Sequence, residues 1–126
     1  RNYEGAAPQR NAWVPLFEEY GLDLSYESHD HALKRTHPIF AGAVDAERGI
    51  IYFGDGGGGV PQRQPDPDRW YLAKTGRHHH VHELTFSDDR VDVKAINIDD
   101  AVVDAFQLTR DRQSTRAAAA EPVSAK

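Results

Sequence analysis

The run Gly54-Asp55-Gly56-Gly57-Gly58-Gly59 limits what this chain can build more than any other stretch. Glycine gives up more conformational freedom on folding than any other residue, so such a run specifies a permissive loop rather than a helix or strand. Pro61, Pro65 and Pro67 follow, and each fixes φ and removes a backbone donor. Residues 54–69 therefore form one long irregular segment, and regular structure has to lie on either side of it. The loop is not a Walker-type phosphate cradle, because no Gly-Lys-Ser/Thr closes it. At 126 residues, the chain has length for one domain with a modest core.

Upstream of the loop, residues 1–10 carry no periodicity and read as irregular. Trp13, Leu16, Phe17 and Tyr20 then recur at helical spacing and predict a helix over 12–20. Asn11 is a suitable N-cap, since its side chain can accept a bond from a first-turn N–H. Pro15 falls at the fourth helical position, where a missing donor costs little. Gly21 suits a left-handed C-cap. The aromatic stripe is expected in the core. Residues 22–26 read as a short strand. Residues 35–40 read as extended, ending in a turn at Ala41-Gly42. Residues 49–53 are apolar and β-branched without alternation, as in a strand buried on both faces.

Downstream, Trp70-Tyr71-Leu72 opens a third extended piece. Residues 79–86, the turn Ser87-Asp88-Asp89-Arg90 and residues 91–98 read as strand, turn, strand. Val91, Val93 and Ala95 share a face whereas Ile96 and Ile98 fall on the other, which predicts a bulge near Ala95. After a turn at Asp99-Asp100, a last strand puts Val102, Asp104, Phe106 and Leu108 on one face. Together these make an antiparallel sheet. From residue 110 the chain is rich in Arg, Ser and Ala, and is expected to be a frayed or disordered tail.

A net charge of −5 and the lack of a basic stripe exclude a nucleic-acid-coating role. No apolar run approaches the length of a membrane span. The absence of cysteine removes disulfides and thiolate metal ligands. The first residue is Arg1, so the lack of a leader pattern carries no information.

Two histidine constellations carry candidate chemistry. Glu27-Ser28-His29-Asp30-His31 follows the 22–26 strand. In extended chain, residues i and i+2 point the same way, so His29 and His31 can offer two imidazoles to one side. The position suits a site, since ligands in layered α/β folds sit outside the carboxyl ends of strands. The second run is Arg77-His78-His79-His80-Val81-His82-Glu83. On a strand His80 and His82 share a face, but Glu83 lies on the opposite one, which departs from a cupin-like ligand set. This run supports the alternative of a small β-rich, non-catalytic module binding a metal through residues 78–82.

The segment Trp13-Val14-Pro15-Leu16-Phe17-Glu18-Glu19-Tyr20-Gly21-Leu22-Asp23-Leu24, then Ser28-His29-Asp30-His31-Ala32-Leu33-Lys34-Arg35-Thr36, resembles the last block of calcineurin-like metallophosphoesterases, with the purple-acid-phosphatase branch nearest. Gly49-Ile50-Ile51-Tyr52-Phe53-Gly54-Asp55-Gly56-Gly57 resembles the strand and glycine turn that follow it. The resemblance covers roughly residues 11–109. It implies an α/β domain, α+β within this chain: the C-terminal half of a two-sheet sandwich, mostly β with one helix, over residues 1–109, with 110–126 as tail. It also implies hydrolysis of phosphate esters by two divalent or trivalent ions (Fe, Zn or Mn). Such ions lie about 3.5–4 Å apart and lower the pKa of a bound water.

By the resemblance, His29 binds one ion and His31 the other. Asp30 points away and holds an imidazole N–H or a loop amide. Arg35 either contacts substrate or anchors the loop through an ion pair, and Asp55 borders the site. Ser28 stands where the family has Gly, and Leu33 where Tyr is frequent. The family's Asp-x-His, Gly-Asp and Gly-Asn-His blocks, and a lone His before the helix, are absent. Each catalytic metal needs three or more protein ligands, so the chain is expected to require a missing N-terminal half, and alone to bind metal weakly without turnover. As a half-domain it should expose Trp13, Phe17 and the 49–53 strand. The family is often extracytoplasmic.

Overall fold

The computed structural model describes residues 6–54 and 57–109. Within them lie one helix and nine strands in three sheets, a mostly β, α+β arrangement.

Helix α1 (Ala7–Glu19) begins earlier than its apolar stripe suggested. Its cap is Ala6, with no side-chain bond, and Pro8 occupies the first turn. Proline there is pre-set for helical φ and lacks only a donor that would be unpaired anyway. Asn11 therefore lies inside the helix rather than capping it, and Pro15 is interior rather than in the first turn. The carboxyl end is as expected. Gly21 takes φ +65°, and the Leu22 N–H donates to the Phe17 carbonyl at 2.9 Å. This reversed closure satisfies end carbonyls that the helix leaves open. It also uses up Leu22, so β1 (Leu24–Glu27) starts later than expected.

The first sheet adds β2 (Leu33–Thr36), β5 (Ile51–Gly54) and β6 (Leu72–Gly76) in the order β1-β5-β2-β6. β1 runs parallel to β5, while β2 is antiparallel to both β5 and β6. Between β2 and β5, β3 (Ile39–Phe40) and β4 (Ala43–Val44) form a small hairpin. Its turn, Ala41-Gly42, takes φ +48° and +75°, the positive values that suit a two-residue hairpin. β1 and β2 pair both edges of β5, residues 49–51 and Phe53 are buried, and the Phe53 ring is covered by Tyr26, His82 and Phe106. The exposure expected of this strand is thus corrected: the chain supplies its own cover.

The last sheet is the meander β7 (His80–Phe86), β8 (Arg90–Asn97) and β9 (Val102–Thr109). Its register shifts between Ala95 and Ile96, which oppose Asp104 and Val102. The extra residue, Val103, makes a bulge opposite Ala95 and Ile96, but it lies on β9, and β8 itself stays in unbroken register with β7 there. Val102 is 55% exposed, separated from the inward face of Asp104, Phe106 and Leu108 that it was expected to share.

The core lies where these two sheets meet. Phe53 touches Phe106 and His82 edge-on, with ring centroids 5.5 and 5.2 Å away. Leu33, Ile50 and Val93 are the largest fully buried side chains. α1 contributes no buried residue. Trp13, Leu16 and Tyr20 are exposed, so the expectation that this stripe lies in the core fails within the described residues.

Candidate metal centre

β1 and β5 finish together, with Glu27 and Gly54 in register. Gly54 takes φ +140°, and a Cβ there would collide with the Glu27 carbonyl. Only glycine lets the strands end this close, which fixes where the chain leaves β1 and enters the histidine loop.

The loop is not extended. His29 and His31 both have positive φ, +99° and +49°, a conformation in which histidine is enriched but still uncommon. The expectation of two imidazoles side by side along a strand is therefore corrected. The left-handed geometry falls on the histidines themselves, not on Ser28. Their ring centroids are 6.5 Å apart, with planes inclined at 64°. An imidazole nitrogen sits about 2.0–2.1 Å from zinc, so two rings on one tetrahedral ion would have closer centroids. His29 is exposed and His31 half-buried.

Among the described residues, the Asp30 carboxylate meets side-chain cations rather than an imidazole or amide. One carboxylate oxygen is in close contact with the Lys34 ammonium, and the other lies 3.8 Å from the Arg63 guanidinium. Arg63 reaches the loop by its backbone too, its N–H donating to the His31 carbonyl at 2.9 Å. The proline-rich segment is thereby tied to the histidine loop.

Beside this network, desolvation pushes the Glu27 carboxyl above its ordinary value, opposed by the charge of Lys34. Tyr52 is pushed up to about 12, chiefly by burial and further by the negative charges of Glu18 and Glu27. Its hydroxyl is buried without a hydrogen-bond partner among the described residues, so it stays protonated near neutrality.

Arg35 is engaged elsewhere. Its Nε and terminal nitrogen donate to both oxygens of Asp104 at 2.7 and 2.9 Å, and its guanidinium lies over the Phe106 ring, 4.9 Å from the centroid. This is an ion pair between the sheets rather than an anchor of the loop alone. Asp55 lies outside the described residues, as does the tail from residue 110.

The second histidine run is built into the seam between the sheets. His80 is 5% exposed, its Nδ1 is 2.9 Å from the His78 carbonyl, and its ring lies 5.0 Å from that of His82. His82 in turn packs against Tyr26 at 5.5 Å. His79 Nδ1 meets the Gly57 carbonyl at 3.1 Å and fastens the glycine loop.

Among the described residues, no group of three or more His, Asp or Glu side chains converges to hold an ion. His29 and His31 therefore do not form a metal centre with other described residues. Arg63, Lys34 and Asp104 were not legible as parts of this arrangement. Arg63 lies in a segment without periodicity, and Asp104 is joined to Arg35 only by the meeting of two sheets.

No family model matches the chain. Two uncharacterized proteins of Mycobacterium tuberculosis, from two strains, are each 30% identical to it over 67 residues, which is 40% of this chain. The chain spans 13% of the length of those relatives. Among solved structures, the purple acid phosphatase PPD1 from yellow lupin (Lupinus luteus) seeds matches 82% of this chain with a TM-score of 0.72 and 21% identity. That match takes up 20% of the lupin chain. The fold described above is thus similar to part of a purple acid phosphatase. Among the described residues, no helix is long and apolar enough to cross a membrane.

Proposed function

We propose that this chain carries part of a metal-dependent phosphoesterase, with His29 and His31 each giving one ligand to a binuclear metal centre. One observation carries the reading. The histidine loop leaves the carboxyl end of a parallel strand pair with two imidazole centroids 6.5 Å apart, in a fold similar to part of a purple acid phosphatase. Backbone outliers cluster at functional sites, where the surroundings over-determine them. Two consecutive histidine-bearing bends of this kind support a site reading over ordinary surface histidines.

The chain's own residues divide the work. Gly54 and Glu27 set where the loop begins. Asp30, held by Lys34, keeps its carboxylate turned to the cations rather than to the imidazoles. The Arg63 N–H fixes the His31 carbonyl, and with it the backbone that presents the second imidazole. Metal ions bound there would polarise a phosphoryl group and lower the pKa of the water they hold. The other ligands must come from residues outside the described set, so the chain alone is expected to hold metal weakly and to turn over no phosphate ester.

Calorimetric zinc titration of the wild-type chain, His29→Ala/His31→Ala and His80→Ala/His82→Ala tests this. Loss of binding in the first double variant alone is the expected result. Loss in the second alone would sink the assignment and favour a non-catalytic metal-binding module using residues 78–82.

A further inference from the structure

We propose that the C-terminal segment of the chain, residues 110–126, covers an apolar patch at the far end of the β7–β8–β9 meander. The patch follows from how far the first sheet reaches. His80, His82, Leu84 and Phe86 share one face of β7. His80 is buried and His82 half-buried against Phe53, but Leu84 is 37% and Phe86 71% exposed. β8 changes in the same direction, from buried Ala95 and Val93 to half-buried Val91. The register sets Phe86, Val91 and Leu108 side by side across the sheet. The core-facing side of the meander therefore runs on into solvent as one apolar row.

Position and charge choose the occupant. β9 ends at this row: Leu108 pairs with Val91 and Thr109 with Arg90, so residue 110 leaves the sheet beside it. From there Phe86 lies across β8 on the next strand but one, about 10 Å away, and residues 110–116 can span about 20 Å. They carry Arg110, Arg112 and Arg116 against a single acid, Asp111. The hairpin turn beside the exit presents exposed Asp88 and Asp89. These opposite charges fall within the screening length of about 8 Å at physiological salt. Residues 117–120 are all alanine, apolar side chains that cover an exposed ring without losing rotamer freedom. A second copy of the chain lacks the tether, whereas a short tether holds its end at an effective concentration on the order of mM.

The chain has no cysteine, so Ala117→Cys, Ala118→Cys, Ala119→Cys and Ala120→Cys each place a single thiol in the full chain. The measurement is its alkylation rate by iodoacetamide, an uncharged reagent, against the same thiol in a free peptide of residues 110–126. At least one position is expected to react about tenfold more slowly in the chain. Phe86→Ser and Arg112→Glu/Arg116→Glu should each return that rate toward the peptide's. The charge variant changes nothing in the described fold, so it decides the matter alone if Phe86→Ser does not fold. Rates equal to the peptide's at all four positions overturn the proposal. So does slowing that survives either variant in the folded chain, which places the segment elsewhere, or slowing that grows with chain concentration, which gives the patch to a second copy.

Discussion

Arg35 and Asp104 lie 69 residues apart in sequence, yet their side chains are only 19% and 8% exposed. Removing one partner of such a pair strands a buried charge, which costs about 3 kcal/mol or more. Asp104→Ala should therefore lower the midpoint of denaturant unfolding sharply. The double variant Arg35→Met/Asp104→Leu, which buries no charge, should recover most of the loss, and equal destabilisation by both would contradict this account. Glu27 gives a pH-dependent counterpart. Its folded pKa is raised above 4.5, so the native state holds the proton over a window upward from that value, and stability falls as pH rises through it. Glu27→Gln should be more stable than wild type at about pH 7, with the difference closing by about pH 4. The gain is small, since the side chain is partly solvated. A pH-independent difference in thermal midpoint would rule out this origin. At this scale the spacing of His29 and His31 is a local property read from the sequence, whereas their positive φ is not. The partner of Arg35 and the exposure of Arg63 were not legible, because both depend on which distant segments the sheets bring together.

α1 shows why one end of an element can be read and the other cannot. Gly21 marks the carboxyl end because few residues other than glycine take φ +65° without strain. Gly21→Ala should destabilise the chain by about 1 kcal/mol or more and reduce far-UV helical signal. A variant as stable as wild type would mean that the Leu22–Phe17 closure contributes nothing. The amino end misled because a polar cap was sought at Asn11, whereas Pro8 and the favourable propensity of Ala7 let the helix start without one. The strands divide in the same way. The irregularity near Ala95 was signalled by the face switch, but not its strand: the extra residue, Val103, lies on β9. The late start of β1 was not, because it follows from Leu22 closing the helix. The central place of β5 was also hidden: nothing within residues 49–53 tells that β2 will return antiparallel beside them.

Burial is settled by the whole molecule, and α1 shows the consequence. An apolar stripe at helical spacing says only that something should cover it. Here Trp13, Leu16 and Tyr20 are 56%, 50% and 80% exposed and lie on a helix with no buried residue. Among the described residues β1, which follows it, is an edge strand with one neighbour, β5. Exposed apolar surface beside an open strand edge favours association. The isolated chain is therefore expected to self-associate as its concentration rises, seen as an increasing weight-average sedimentation coefficient. Covering the exposed part of one aromatic or leucine side chain is worth about 2 kcal/mol. Trp13→Lys or Leu16→Lys should then weaken association by about tenfold or more, while the unfolding midpoint measured at low concentration stays near wild type, since neither residue is in the core. A wild-type chain that remains monomeric at high concentration and unfolds in one cooperative step would mean that this stripe needs no cover, and would count against the half-domain reading of the fold.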